Sequence, residues 1–145
     1  MKILFIGESS FAGVGVEQHK NGFAGHFSTV LSEQLNHNIN WKVYAKTGYN
    51  VHKIQKRIIP LIIETTCDLL VIGIGGNDTF ELNQPKKWRQ SIQLLIDDLR
   101  KKFPETPILF AQLPTIEAFP AFPKEMKFVL GNHKDILAQH LKKQV

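Results

Sequence analysis

Residues 3–10, ILFIGESS, join a short apolar run to a glycine, a glutamate and two serines. The run over residues 3–6 has the composition of a buried β-strand, because β-branched and aromatic side chains pack well on a pleated surface. A hydroxyl, that of Ser9, therefore emerges at the end of a predicted strand, beside a glycine that leaves room for a second molecule. Serine at such a position also commonly caps a helix or closes a turn, so a structural interpretation stands beside a catalytic one.

Three further apolar runs, residues 41–45, 69–74 and 108–111, have the same strand composition. Between them, and after the last, apolar side chains recur at the spacing of a helical face. The alternation of strand and helix predicts a parallel sheet with helices on both faces, and ligands in such sheets bind at the carboxyl ends of the strands. The predicted helical faces are Phe23, Phe27, Val30 and Leu31; Val51, Ile54, Ile58 and Ile62; Trp88, Ile92, Leu95 and Leu99; and Met126, Val129, Leu130, Ile136, Leu137 and Leu141.

Length and composition favour one α/β domain over residues 1–145, because 145 residues with 43% hydrophobic content suffice for a single core. The net charge of +5 is scattered along the chain. Its tighter groups, such as Lys86, Lys87 and Arg89, fall on a predicted amphipathic helix, where a charged face is normally solvated. No basic and aromatic binding motif accompanies the charge, so we predict no nucleic-acid partner.

The beginning of the sequence contains no targeting signal that we recognise. The apolar run over residues 3–6 is too short for a signal-peptide core or a membrane span, so we predict a cytoplasmic protein without a membrane span. The single cysteine, Cys67, cannot form an internal disulfide, and we interpret it as a core residue.

Two more predicted strands end in small and polar residues, Lys-Thr-Gly at 46–48 and Gly-Ile-Gly-Gly-Asn-Asp at 73–78. Gly48 can serve a turn that needs a positive φ, and Asn77 with Asp78 can form a turn or cap a helix. With Gly7-Glu8-Ser9, however, the chain carries three such blocks in order, each at the end of a predicted strand.

These three blocks together resemble the SGNH/GDSL hydrolase family. The resemblance implies a flavodoxin-like three-layer α/β/α sandwich and a serine acyl-ester hydrolase of esterase or lipase type, acting on a small-molecule acyl ester without cofactor or metal. It makes Ser9 the nucleophile, and the Ser9 N–H, the Gly48 N–H and the Asn77 side chain the oxyanion hole. Donors of this kind each contribute about 10²–10³ in rate. Asp78 and Glu8, which replaces the family's usual aspartate, would support the site.

One sequence block of the family is absent from this sequence. Family members place an Asp and a His, with two residues between them, after a fifth strand, and this sequence has no such block. A serine hydroxyl needs an adjacent base, so the resemblance implies a C-terminally truncated domain, missing the final strand and helix, with impaired activity. His140, on the last predicted helix, we interpret as facing solvent. None of the histidines has an aspartate three positions before it: His19, His26, His37, His52, His133 and His140.

Two alternatives to an active hydrolase stay open. One is a catalytically inactive module on the same fold that binds a small anion or a protein. The other is a flavodoxin-like nucleotide binder, but a dinucleotide fingerprint built on Gly73 and Gly75 would need a glycine where Asp78 stands. No cluster of metal-ligand residues in the sequence suggests a metal site.

The proline-rich stretch over residues 113–123 contains Phe119 and Phe122. It is either a plain connector or one wall of an acyl pocket, so these two residues are substrate-pocket candidates. In a sheet without a fifth strand, residues 108–111 lie at an open edge, and such an edge favours association. We therefore predict a homodimer through this edge or by exchange of the last helix.

Overall fold

The computed structural model describes residues 1–112 and 122–143. Within them, four parallel strands form one sheet in the order β2-β1-β3-β4. The strands are β1 (Lys2–Gly7), β2 (Asn40–Ala45), β3 (Leu69–Gly73) and β4 (Ile108–Phe110). All four predicted strands and the predicted parallel arrangement are confirmed.

The helices lie on both faces of the sheet, as the alternation predicts. One face packs against α2 (Val51–Arg57), α4 (Pro85–Lys102) and α5 (Lys124–Lys142). The other packs against α1 (Phe23–Leu35). A short helix, α3 (Gly76–Phe80), follows β3, and single 3-10 turns occupy His19–Asn21 and Ile59–Leu61.

The two central strands are apolar on both faces because both faces are covered. Leu4 and Ile6 of β1 lie in the core beneath α2, α4 and α5, whereas Ile3 and Phe5 lie in the core beneath α1. This explains why the β1 sequence is a continuous apolar run and does not alternate with polar residues.

Two predicted helical faces are buried throughout, and two are not. All four predicted apolar residues of α4 are buried, as are those of the α2 region, although α2 ends at Arg57 because Pro60 cannot continue the helix. In α1, by contrast, Val30 is 51% exposed. The prediction of one apolar face along α5 is wrong in part, because Leu130 and Leu137 are buried but Met126, Val129 and Ile136 are exposed.

Phe11 packs against the carboxyl ends of β1 and β3, the two central strands of the sheet. Its ring is 3% exposed and lies against Gly7 and Gly73. A Cβ on Gly73 would lie 2.5 Å from the Phe11 ring, and a Cβ on Gly7 would lie 2.5 Å from the Gly73 carbonyl oxygen. Close packing therefore requires glycine at both positions. The loops that follow β1 and β3 begin directly above this packed layer.

The two edges of the sheet differ. At the β2 edge, Glu64 accepts hydrogen bonds from Lys42 Nζ at 3.0 Å and from the Tyr44 hydroxyl at 2.6 Å, so charge and a loop cover that strand. At β4, Leu109 is 45% exposed. No strand pairs with the outer side of β4 in the described part of the chain, in agreement with the predicted open edge.

We expect Gly73→Ala to lower the free energy of unfolding by about 1–3 kcal/mol, because the new methyl group overlaps the Phe11 ring. The cost should shrink in a Phe11→Leu background, where that overlap is relieved. Gly7→Ala is the comparison: its methyl would lie 2.5 Å from the Gly73 carbonyl oxygen as well as 2.9 Å from the Phe11 ring, so the part of its cost that comes from the backbone overlap should persist in that background. Urea unfolding of the double-mutant cycle measures both, and an equal cost of Gly73→Ala in both backgrounds would contradict the packing described.

Candidate active site

The sequence blocks meet at the carboxyl edge of the sheet. Gly7 pairs in register with Ala45 on one side and with Gly73 on the other, so β1, β2 and β3 end at the same level. The segments that carry Ser9, Gly48 and Asn77 therefore leave neighbouring strand ends.

Glu8 joins the first block to the third. One oxygen of its carboxylate accepts the backbone N–H of Gly75 and, at 3.0 Å, that of Gly76. The other oxygen accepts the backbone N–H and the side-chain amide of Asn77, both at 2.9 Å. Gly75 has a φ of 106°, which turns successive N–H groups toward one point. The carboxylate of Glu8 thus fills the anion-binding position at the beginning of α3.

Burial makes the Glu8 carboxyl harder to ionise. Glu8 is 6% exposed, and desolvation, opposed by the backbone N–H of Asn77, raises its pKa to about 7. The Asp78 carboxylate nearby raises the pKa of Glu8 further. Glu8 is consequently a group whose charge changes near neutral pH.

Asp78 has a separate structural role. Its carboxylate accepts the backbone N–H of Val51 at 2.9 Å and the Asn83 amide at 3.0 Å, and it is 1% exposed. Burial raises the pKa of Asp78, opposed by the hydrogen bond from Val51. Asp78 thereby ties α3 to the beginning of α2.

Asn77 links the third block to the second. Its side-chain nitrogen donates to Glu8 at 2.9 Å and to the Tyr49 carbonyl oxygen at 3.0 Å. Tyr49 directly follows Gly48, so one amide group contacts segments from two of the three blocks. Both amide hydrogens of Asn77 are used within the protein. The sequence could not identify the Tyr49 carbonyl as a partner, because a backbone acceptor leaves no pattern in side-chain types.

Gly48 lies in the turn after β2. Its φ of 77° confirms the predicted positive φ, and a Cβ built at this position would meet no atom within 4 Å among the described residues. The turn is therefore open on the side where a side chain would stand, and backbone conformation is what requires a glycine there.

Ser9 lines a pocket of about 410 Å³ at this edge of the sheet. Within residues 1–112 and 122–143 its hydroxyl makes no hydrogen bond, so the Oγ lone pairs and proton are available to a ligand. The pocket is mainly apolar, with Phe80 on α3 and Phe11 below it. Its lining residues are Glu8, Ser9, Ser10, Phe11, Val14, Phe23, Gly73, Ile74, Gly76, Phe80, Ala111 and Gln112.

One of the two substrate-pocket candidates can be placed. The centroids of the Phe122 and Phe80 rings lie 5.6 Å apart, edge to face, so Phe122, two residues before α5, contacts a wall of the serine pocket. Phe119 lies outside the described residues. Phe80 itself was missed from the sequence, because α3 has five residues and is too short to show a helical periodicity.

No histidine is found among the residues lining the serine pocket in the described part of the chain. His19, His26, His37 and His52 are exposed. His133 and His140 are half-buried on α5, so the prediction that His140 faces solvent is wrong; its Nδ1 atom is buried.

The sequence model of the GDSL-like Lipase/Acylhydrolase family matches residues 5–144. The chain belongs to this family. No curated protein sequence matches it significantly.

Solved structures share the fold of this family member. The lipase Lip_vut3 from a goat rumen metagenome is 19% identical, with a TM-score of 0.74 over 99% of this chain and 75% of that one. AlinE4, an SGNH-hydrolase family esterase, is 19% identical, with a TM-score of 0.71 over 98% and 71%. The acetyl xylan esterase AlAXEase is 16% identical, with a TM-score of 0.71 over 99% and 73%. At these identities the similarity shows the SGNH-hydrolase fold.

Two further features of this GDSL-family chain concern its described residues only. Over 1–112 and 122–143, no three His, Cys, Asp or Glu side chains lie together as a metal site would require. No helix in the same ranges is long and apolar enough to cross a bilayer. The predicted cytoplasmic location stays a prediction.

We expect Glu8→Gln to remove a pH dependence from the stability. The pKa of Glu8 is raised from 4.5 to about 7 on folding, so the unfolded state loses this proton first as the pH rises. The wild-type free energy of unfolding should therefore fall between about pH 4.5 and 7, by up to ~1.4 kcal/mol per pH unit from this group. Urea unfolding of both chains from pH 4.5 to 8 measures it. A wild-type advantage that grows with pH would show that the N–H groups outweigh burial.

Proposed function

We propose that this GDSL-family chain is a serine acyl-ester hydrolase whose nucleophile is Ser9. The observation that carries the proposal is that a half-buried serine at the end of β1 faces an apolar pocket, next to a frame in which Glu8 joins α3 to that strand. The family and the esterases of the same fold support small-molecule esters as the substrate class.

In the proposed reaction, the Ser9 Oγ bonds to the ester carbonyl carbon while its proton passes to a base. The carbonyl oxygen becomes an oxyanion, which the N–H groups of Ser9 and Gly48 and the Asn77 amide would stabilise. Collapse of this intermediate expels the alcohol, and water then releases the acyl group from the serine.

The role proposed for Asn77 needs one adjustment. Its two amide hydrogens already bind Glu8 and the Tyr49 carbonyl, so the oxyanion must share one of them or displace Tyr49. The bond to Glu8 fixes the orientation of the amide, and the bond to Tyr49 lies next to Gly48, the other proposed donor. We therefore propose that the Tyr49 bond is the one shared in the transition state.

The general base is the component that the described residues do not supply. Since no histidine of the described chain lines the pocket, we propose that a full catalytic rate requires a base from outside the described residues. The same observation favours a second candidate function, in which the pocket binds a small ligand without turnover.

Hydrolysis of a short-chain activated aryl ester tests the nucleophile. Because nucleophile and base act as a unit, the assay tests both: with the base supplied as proposed, Ser9→Ala should lower kcat/KM by about 10³ or more relative to the unchanged chain, since the acyl-enzyme cannot form. Ser91→Ala, on α4, is the matched control and should retain the rate. Equal rates for the chain and its Ser9→Ala variant would contradict the hydrolase proposal and favour the second candidate, ligand binding without turnover.

Asn77→Ala separates oxyanion stabilisation from substrate binding. We expect kcat to fall by about 10²–10³ with a smaller change in KM, since the oxyanion exists only in the transition state. Asn83→Ala, which removes another amide that binds an acidic side chain of this region, should retain kcat. Circular dichroism of both variants monitors the fold. A change in KM alone would assign Asn77 to substrate binding.

We also propose that the chain forms a homodimer through the edge of β4. The outer side of that strand has no strand partner among the described residues, and Leu109 is 45% exposed beside it. Such edges pair readily with another chain unless charge protects them.

Light scattering well above micromolar concentration should therefore give twice the monomer mass. Leu109→Lys places a charge at the edge and should yield a monomer. Leu94→Lys, at a position 51% exposed on α4, should leave the dimer intact. A monomer for the unchanged chain would contradict the proposed association.

A further inference from the structure

The Glu8 carboxylate has no vacant position for a further hydrogen bond. A carboxylate offers about four lone-pair sites, divided between its two oxygens. In this structure Oε1 of Glu8 accepts the backbone N–H groups of Gly75 and Gly76. Oε2 accepts the backbone N–H and the side-chain amide of Asn77. A proton that binds to Glu8 therefore has to displace one of these donors.

The donors differ in their freedom to move. Those of Gly75 and Gly76 and one of the two from Asn77 are backbone N–H groups, fixed by the turn after β3 and the beginning of α3. The remaining donor is the side-chain amide of Asn77, which is half-buried and keeps a second acceptor in the Tyr49 carbonyl at 3.0 Å. Displacing a backbone N–H would leave a buried donor without an acceptor, which is costly, whereas the amide can rotate away. Protonation at Oε2, with release of the Asn77 side chain, is therefore the favoured change.

The other ionisable groups near this contact do not bind the Asn77 amide. Asp78 on α3 raises the pKa of Glu8, but the carboxylate of Asp78 binds the beginning of α2 and a different asparagine. Glu81, directly after α3, raises the pKa of Asp78. Lys46, after β2, and His52, on α2, are exposed. In the described part of the chain, Glu8 is the only ionisable side chain that lines the serine pocket.

We propose that Glu8 is a positioning residue whose negative charge holds the Asn77 amide in the oxyanion hole, so that the hole is complete only while Glu8 is ionised. The role of Asn77 as an oxyanion donor rests on the proposed function, whereas the coupling of Glu8 to the amide rests on the hydrogen bonds. Because burial raises the pKa of Glu8 to about 7, the coupling changes state near neutral pH. Mild acidification thus removes a donor from the site, whatever the pKa of the general base.

NMR spectroscopy tests the coupling without requiring turnover. The 13C signal of the Glu8 carboxyl reports its charge, and three-bond couplings in the Asn77 side chain report its χ1 rotamer. We expect one Asn77 rotamer at pH 8.5 and an average over several at pH 5.5, with a transition that follows the titration of Glu8 near pH 7. A single Asn77 rotamer throughout, while the Glu8 carboxyl titrates, would overturn the proposal.

Glu8→Gln keeps the size of the side chain but removes its charge at every pH. In this variant we expect the Asn77 rotamers to be averaged even at pH 8.5. Glu81→Gln is the matched control, because Glu81 carries the same charge beside α3 but accepts the amides of Asn50 and Asn83. It should keep the transition of the unchanged chain. Thermal unfolding of both variants monitors the fold. A single Asn77 rotamer in folded Glu8→Gln at pH 8.5 would contradict the need for a charge.

Kinetics give a second readout in which the general base cancels. The unchanged chain and its Asn77→Ala variant share the same base, so the ratio of their kcat values isolates the contribution of the amide. About 3% of Glu8 stays ionised at pH 5.5 when its pKa is about 7, so this ratio should fall about thirtyfold between pH 8.5 and 5.5. In a Glu8→Gln background the ratio should be small at both values. A ratio that does not change with pH in the unchanged chain would overturn the proposal.

This proposal and the hydrolase proposal fail separately. If the ester assay shows no dependence on Ser9 but the Asn77 rotamer follows the charge of Glu8, the hydrolase proposal is wrong and the coupling stands. If hydrolysis depends on Ser9 but the contribution of Asn77 to kcat is the same at pH 5.5 and 8.5, the positioning role of Glu8 is wrong and the nucleophile stands.

Discussion

The arrangement of the site depends on the contact between the Glu8 carboxylate and the beginning of α3. Glu8 belongs to the segment after β1, and the N–H groups that it accepts belong to the segment after β3. Hydrogen bonds to a charged group are about twice as strong as neutral ones, and these are largely removed from water. Without this contact, nothing else among the described hydrogen bonds joins Asn77 to the strand that carries Ser9.

The same contact has an electrostatic cost. Glu8 and Asp78 are both buried carboxyl groups, and burial raises the pKa of each. The hydrogen bonds from the backbone oppose this effect, as does the bond from Val51 to Asp78. The site therefore joins three segments at the expense of two partly desolvated charges, an arrangement found more often at functional sites than in purely structural cores. The extra methylene of Glu8, relative to the aspartate common in the family, still permits contact with all of these donors.

Much of the fold could be predicted from the sequence, because its strands are continuous apolar runs that end in glycine or polar residues. The placement of Ser9, Gly48 and Asn77 followed from parallel strands ending at one edge. What could not be predicted depends on tertiary contacts: Phe11 as a plug between glycines, α3 as a helix of five residues, and the Tyr49 carbonyl as a partner. The sequence also could not predict that Val30 is exposed, since periodicity identifies an apolar face but not the elements that cover it. The extent of one domain over residues 1–145 and the catalytic role of each site residue stay predictions.

A crystal structure of the chain after treatment with an alkyl fluorophosphonate tests the central claim most directly. In that reaction the Ser9 Oγ bonds to phosphorus and fluoride leaves, which gives a stable analogue of the tetrahedral intermediate. We predict phosphorus on Ser9, and a phosphonyl oxygen that accepts hydrogen bonds from the Ser9 N–H, the Gly48 N–H and the Asn77 amide, with Glu8 still bound to the beginning of α3. Phosphorus on another residue, or a phosphonyl oxygen that faces none of these donors, would contradict the account.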